Sequence, residues 1–189
     1  MTPAIRLSDC NEAPVRPDRD CVFYWMIASR RTTWNFGLQR AAERAAELRK
    51  PLVVLEPLNV DYHWASDRFH RFVIDGMESN AGRLKSAPVL YHPYIEPKPG
   101  AGKGLLAALA ARSCVVVTDD YPCFMLPKLV AAAGSKRDVR LEQVASNGLL
   151  PLEAPLALLR HPVRRASEPW LRIQTYFDPC PRELLAENV

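Results

Sequence analysis

Two short polar segments carry side chains suited to binding chemistry, and each directly follows a strongly apolar run. Ala28-Ser29-Arg30-Arg31 follows the run 21–27, and Asp119-Asp120-Tyr121-Pro122 follows the β-branched run 114–118. Guanidinium groups donate hydrogen bonds and carboxylates accept them. The two segments together predict a site for an anion or for the polar edge of a planar ring. A second interpretation stays open: either aspartate could cap the following turn, and Arg31 could pair with one of them.

Other motifs that could carry chemistry are incomplete. The loop Pro99–Gly104 resembles a phosphate-binding loop, but Pro97 stands where such a loop needs its first glycine, and a glycine follows the lysine where Ser or Thr is needed. No three-glycine dinucleotide fingerprint follows the first apolar run, and no nucleophile elbow occurs. His63 and His70 lack an evident third ligand, so we expect no metal site. Cys123 has no nearby histidine in sequence, and we predict no catalytic residue in this chain.

Apolar runs alternate with amphipathic segments along most of the chain. Five runs predict strands buried on both faces: Cys21–Ile27, Leu52–Leu58, Val89–Tyr94, Cys114–Thr118 and Val139–Val144. Spacing of 3.6 residues predicts four helices: Trp34 to Leu48, Ser66 to Leu84, Leu105 to Ala111 and Leu126 to Ala133. Thr33 is the expected cap of the first helix and Ser66 of the second. The apolar stripe of the second helix is predicted to contain Phe69, Phe72, Val73, Met77 and Leu84.

This alternation predicts an α/β fold with a Rossmann-like five-stranded parallel sheet, in the order 3-2-1-4-5, and helices on both faces. In such sheets, ligands bind beyond the carboxyl ends of the strands where the winding reverses. That point lies between strands one and four, so the two polar segments should meet in one crevice. The N-terminus of the helix that begins near Trp34 points there too, and its N–H groups favour an anion or a polar ring edge.

The composition is that of a globular protein and excludes several classes. The net charge is +4, and +3 of it lies between Arg160 and Arg172, so no broad nucleic-acid-binding face is indicated. No apolar run approaches the ~18 residues of a membrane span, and the first twenty residues lack the apolar core of a signal peptide. The five cysteines are odd in number and no two are spaced as C-x-x-C, which favours a reducing cytoplasm.

The 189 residues fit one domain with flanking segments. Residues 1–20 contain three prolines and no periodicity, so we interpret them as a leader arm. Residues 21–150 hold the predicted strands and helices and form the α/β domain. Residues 151–189 contain six prolines and no helical or strand period, which is typical of a tail or interdomain linker.

A series of short motifs resembles the N-terminal domain of DNA photolyases, especially the class II cyclobutane-dimer type. Tyr24-Trp25-Met26, then Arg31, then Asn35-Phe36-Gly37-Leu38 resembles the family's Y-W-M strand, its arginine and its N-W-A-L helix start. Phe36 replaces the usual Trp, and Gly37 replaces the usual Ala. Further similar segments are Lys50–Val54, Phe72–Met77, Val117–Asp119 with Pro122, Pro127-Lys128, and Ser146–Pro151. The resemblance covers roughly residues 21 to 151.

The resemblance implies a domain that can bind an antenna chromophore, commonly a deazaflavin, FMN or a folate, at the crevice predicted above. The expected cofactor-binding residues are Met26, Ser29, Arg31, Asn35, Phe36, Asp119, Asp120 and Tyr121. Arg31 and Asn35 would anchor polar edges, and Asp119 or Asp120 would accept a hydrogen bond from a ring N–H. Met26, Phe36 and Tyr121 would pack on the ring.

The resemblance also implies what this chain does not do alone. Photolyases, which are lyases, repair thymine dimers by light-driven electron transfer from reduced FAD, and both FAD and DNA lie in a helical domain that follows this one. We therefore expect no FAD in this chain alone, and DNA contact only through a separate FAD-domain subunit or a missing C-terminal domain. Two alternatives stay open. One is a chromophore-free module that docks such a subunit, and the other is a small adenine-nucleotide-binding α/β protein.

Overall fold

A six-stranded sheet forms the centre of the computed structural model, which describes residues 1–148 and residue 151. Its strands, β1 to β6 in chain order, are Leu7–Asp9, Cys21–Trp25, Leu52–Leu58, Val89–Ile95, Ser113–Asp120 and Leu141–Ala145. Their order across the sheet is β1-β6-β5-β2-β3-β4. Four helices, α1 to α4, connect the parallel strands: Phe36–Leu48, Asp67–Leu84, Leu105–Ala111 and Leu126–Gly134. A short 3-10 helix, Ala4–Arg6, precedes β1.

The α/β class is confirmed, but the predicted count of five strands is wrong. The five predicted strands occupy β2 to β6 and are parallel to their neighbours, whereas β1 pairs antiparallel with β6 at the sheet edge. Three residues are too short to show a strand period in sequence. Leu7–Asp9 forms a strand because the outer edge of β6 presents unpaired N–H and C=O groups. Asn11 continues this attachment, since its side chain bonds the backbone of Gly134, Val139 and Leu141.

Helices cover both faces of the sheet. Alternate residues of β2 point to opposite faces. Val22 and Tyr24 pack with Leu38 and Ala41 of α1 on one face. On the other face, Phe23 and Trp25 pack with Val130 and Ala133 of α4 and with Ala110 of α3. Burial on both faces explains why β2 and β5 appear in the sequence as unbroken apolar runs.

The helix ends are set by local side-chain caps. Ser66 accepts a hydrogen bond from the Phe69 N–H, so the predicted cap of α2 is confirmed. The predicted cap of α1 is wrong: Asn35, not Thr33, caps the helix, and α1 begins at Phe36. The Asn35 amide nitrogen also donates to the Ser29 and Arg31 carbonyls of the preceding loop, whereas a threonine hydroxyl has only one proton to donate.

The predicted apolar stripe of α2 is partly wrong. Met77 and Leu84 are buried against the sheet, but Phe69 is 52% exposed and Phe72 is 78% exposed. The third buried position is polar: Asn80 donates a hydrogen bond to Glu56 of β3 at 3.0 Å. The helix therefore buries a narrower face than its sequence indicates and leaves two phenylalanines facing solvent.

None of the helices described here is long and apolar enough to cross a membrane. The predicted tail, 151–189, lies outside the described residues apart from Pro151.

Candidate functional site

The carboxyl ends of β2 and β5 lie side by side, as the predicted crevice requires. Trp25 is in register with Thr118, whose hydroxyl donates a hydrogen bond to the Trp25 carbonyl at 2.9 Å. The loops that follow, 26–35 after β2 and 121–125 after β5, therefore emerge together at one edge of the sheet. We call the surface between these two loops and the end of β6 the crevice.

Asp119 holds the first of these loops in place. One carboxylate oxygen accepts the N–H groups of Ile27, Ala28 and Ser29 at 2.9, 2.8 and 3.1 Å. The other accepts the Tyr24 hydroxyl at 2.7 Å. Asp119 is buried and bonded within the protein, so the geometry supports the capping interpretation of this residue and disfavours a contact with a ligand.

Tyr24 stays protonated beneath the loop. Its side chain is fully buried, and burial together with the neighbouring Asp119 carboxylate raises the pKa of Tyr24 well above its ordinary value. The neutral phenol, which donates to Asp119, is therefore favoured over the phenolate.

Asn35 links the loop to α1. Its amide oxygen accepts the Leu38 N–H at 2.9 Å, as a helix cap does. Its amide nitrogen donates to the carbonyls of Ser29 and Arg31 at 2.8 and 2.9 Å. Asn35 and Ser29 are both buried, so these two predicted site residues support the crevice from below.

Trp34 stands at the mouth of the crevice and was not predicted as a site residue. Its indole is 50% exposed, and its φ of 53° lies in the left-handed region, which costs a residue with a Cβ roughly 1–2 kcal/mol. Arg31 holds this conformation, because its Nε and Nη2 donate to the Trp34 carbonyl at 3.2 and 3.0 Å. Arg31 Nη2 also donates to the Ser146 carbonyl at 3.2 Å, which ties the loop to the end of β6. Such strain at an exposed aromatic side chain is typical of functional positions.

Two more exposed rings lie at the same edge of the sheet. Trp64, in the loop before α2, is 60% exposed, and Phe124, in the loop after β5, is 71% exposed. Their rings meet edge to face with centroids 5.8 Å apart. Phe124 also has a left-handed φ, of 60°. We call Trp34, Trp64 and Phe124 the aromatic rim. Their place in loops that follow strands was visible in the sequence, but their exposure was not.

The predicted ring-packing residues divide into two groups. Met26 is fully buried in the core. Phe36 is buried beneath the guanidinium of Arg6, which lies 4.2 Å from its ring centroid and donates to the Ala145 carbonyl. Direct contact of Met26 or Phe36 with a ligand is therefore disfavoured. Tyr121 and Asp120 are half-buried, and the Asp120 carbonyl accepts the Asn147 amide at 3.4 Å.

A buried ionic network supports the neighbouring strand end. The Glu56 carboxylate on β3 is fully buried and accepts the Tyr91 hydroxyl at 2.6 Å. It also pairs with Arg30 at 3.3 Å, and Arg30 donates to the Pro57 carbonyl at 2.6 Å. Burial and the Glu56 carboxylate raise the pKa of Tyr91. This network fixes the loop after β2 from the side opposite to Asp119.

A cavity of about 220 Å³ lies away from the crevice, between β1 and α1. Its Arg40 and Arg44 both bond the Glu142 carboxylate. Arg40 also pairs with Glu43 and Arg44 with Glu47, so their charges are already matched inside the protein. Among the residues described, no group of three or more His, Cys, Asp or Glu side chains could hold a metal ion.

Comparison with known proteins supports a relationship with photolyases. The chain is 32% identical over 132 residues to a deoxyribodipyrimidine photo-lyase of Methanothermobacter thermautotrophicus. The chain is related to a photolyase. The match includes 70% of this chain but only 29% of the relative, so the chain spans less than a third of that protein's length. Residues 139–181 also match a family model described as a protein of unknown function, DUF1722.

Proposed function

We propose that this chain contains a photolyase-like α/β domain, of the class II type, that binds an antenna chromophore at the crevice. The observation that carries the proposal is Trp34: an exposed indole, held in a left-handed backbone conformation by Arg31, at the point where the winding of the sheet reverses. Half of the indole surface is exposed. A planar ring could stack on this exposed surface.

The residues present fit a planar ring. The aromatic rim supplies flat apolar surfaces on three loops, and aromatic groups stack favourably on one another. Arg31 and the half-buried Asn147 offer hydrogen-bond donors at the edge of the crevice, and Asp120 and Tyr121 offer acceptors. The loop beneath the ring would be kept rigid by the buried residues Asp119, Asn35 and Ser29.

A deazaflavin, FMN or folate bound there would absorb light and pass the excitation energy to FAD. In this proposal FAD and damaged DNA are bound by a helical domain, either of a partner subunit or of a longer protein, and this chain alone has no lyase activity. A cytoplasmic location is part of the same proposal.

The test is the absorbance of the freshly purified protein, with mass spectrometry of any released ligand. A visible or near-ultraviolet band with a released deazaflavin, flavin or folate is the expected result. Trp34→Ala should lose the band while retaining the circular dichroism spectrum of the wild type. Leu90→Ala is the matched control, since Leu90 is an exposed apolar side chain on β4. The proposal would be refuted by a wild-type protein that is colourless as purified and binds none of the added chromophores.

A second candidate function is docking of a FAD-domain subunit without a chromophore. The observation that favours it is the exposure of three aromatic side chains on or next to α2, those of Phe69, Phe72 and Trp64. We expect Phe72→Ser to weaken association with a separately produced FAD domain in analytical ultracentrifugation. Equal association of Phe72→Ser and wild type would refute docking through this surface.

A further inference from the structure

Three backbone segments at the carboxyl edge of the sheet present arrays of N–H groups of the kind that hold phosphate in many α/β proteins. They are the loop after β2, the first turn of α1, and the glycine-rich loop before α3. In this chain each array already binds side-chain oxygens of the protein itself. The oxygens differ from one array to the next, but in each case the N–H groups that bond them are no longer free to bind a phosphate.

The loop after β2 is the segment that carries the pyrophosphate in dinucleotide-binding sheets. Here a single oxygen of Asp119 accepts three successive N–H groups of that loop, those of Ile27, Ala28 and Ser29. A carboxylate of the protein therefore sits where a phosphate oxygen would bind, and its charge would repel a phosphate.

The first turn of α1 is filled by neutral oxygens. The Leu38 N–H donates to the Asn35 amide oxygen at 2.9 Å, and the Gly37 N–H donates to the Ser146 hydroxyl at 3.2 Å. Unpaired N–H groups at a helix start would favour an anion, but these two already donate to Asn35 and Ser146.

The glycine-rich loop follows β4, outside the crevice as defined above, and donates the Gly102 N–H to Glu96. The buried carboxylate of Glu96 accepts the Gly102 N–H and the Val60 N–H, each at 3.2 Å. Hydrogen bonds from Gly102 and Val60 hold the pKa of Glu96 below its usual range, which keeps the carboxylate charged at neutral pH. One N–H of the loop that resembles a phosphate-binding motif is therefore already bonded to an anion of the protein.

We infer that the crevice selects its ligand by the planar ring and gives no anchorage to a phosphate tail. Its N–H arrays are occupied, and Arg31 is committed to the Trp34 and Ser146 carbonyls and to the ring edge. This inference rests on the proposed function and names the ligand class: a flavin-like ring bound equally well with or without its phosphate. It also disfavours the adenine-nucleotide alternative, whose ligands depend on phosphate contacts.

The test is titration of the purified chain with riboflavin and with FMN, followed by quenching of flavin fluorescence. These two ligands share the ring and differ by one phosphate. We expect dissociation constants within about threefold of each other, whereas a phosphate bound by N–H groups would favour FMN by roughly tenfold or more. Added inorganic phosphate should displace neither flavin.

The outcomes separate this inference from the proposal beneath it. An FMN preference of tenfold or more would overturn the inference and leave the chromophore proposal standing. If that preference disappeared in Arg31→Gln but persisted in the control Lys128→Gln, the phosphate would bind Arg31. If neither flavin bound, nor a deazaflavin or folate, the proposed function itself would fail and the inference with it.

Discussion

Replacement of Asp119 by alanine should destabilise the fold far more than an ordinary surface change. The carboxylate accepts four hydrogen bonds, three from backbone N–H groups and one from the Tyr24 hydroxyl. The donors of Ile27, Ser29 and Tyr24 are buried, and an unsatisfied buried donor costs about 1–3 kcal/mol. Tyr24 can still bond Asn35, and water can reach part of the loop. We therefore expect a loss of at least about 3 kcal/mol, from a total of about 5–15 kcal/mol.

The assay is equilibrium unfolding in urea followed by circular dichroism, with two companion variants. Asp119→Asn keeps an acceptor for the loop, and its amide can donate to the Tyr24 oxygen, so its loss should be about half that of alanine. Asp61→Ala, at an exposed position, should change stability by less than about 0.5 kcal/mol. An Asp119→Ala variant within about 1 kcal/mol of wild type would refute the view that this residue organises the crevice.

Three further predictions test other parts of the structure. Glu142→Gln should cost about 3 kcal/mol because it leaves two arginines without their buried partner. Burial alone would raise the pKa of Glu142, but hydrogen bonds from Arg44 and Arg40 outweigh it and lower the pKa. Its contribution is therefore complete above the unfolded value of about 4.3 and lost as the pH falls towards the lower folded value, so the variant should flatten this part of a stability–pH curve. Gly37→Ala should cost about 1–2 kcal/mol in urea unfolding, because the new Cβ would lie 2.8 Å from the Tyr24 oxygen, and the cost should shrink in a Tyr24→Phe background. Trp34→Gly should be about 1 kcal/mol more stable than Trp34→Ala in the same assay, since only glycine adopts its φ of 53° without strain; equal stabilities would contradict the strain.

The sheet was largely predictable because its strands are buried on both faces and appear as unbroken apolar runs. The added strand Leu7–Asp9 was not, since three residues carry no period and its formation depends on an edge elsewhere in the fold. The exposure of Phe69 and Phe72 was missed for a similar reason. Helical spacing shows which residues share a face, but it does not show how much of that face the sheet covers.

The candidate site was predictable in place but less so in role. Asp119 lies at the strand end that the crossover pattern predicts. Its carboxylate, however, is buried and accepts N–H groups of the loop after β2. Phe36 lies near the crevice but is covered by Arg6, which comes from the leader arm. The sequence does not predict Trp34 as a site residue. A left-handed backbone and an exposed indole are properties of the folded chain, and neither follows from residue type.

The relationship to a photolyase gives the fold a context. The match covers 132 residues, or 70% of this chain. The aromatic rim and the occupied N–H arrays are features of this chain's own geometry.

The most direct test of chromophore binding at the crevice is a reconstitution experiment on wild type and Trp34→Gly side by side. Each protein is incubated with FMN, a deazaflavin and a folate in turn, passed through gel filtration, and measured by absorbance. We predict that wild type retains at least one chromophore at close to one per chain and that Trp34→Gly retains none. Wild-type protein that elutes colourless after all three incubations would contradict the account, and so would equal retention by the two proteins.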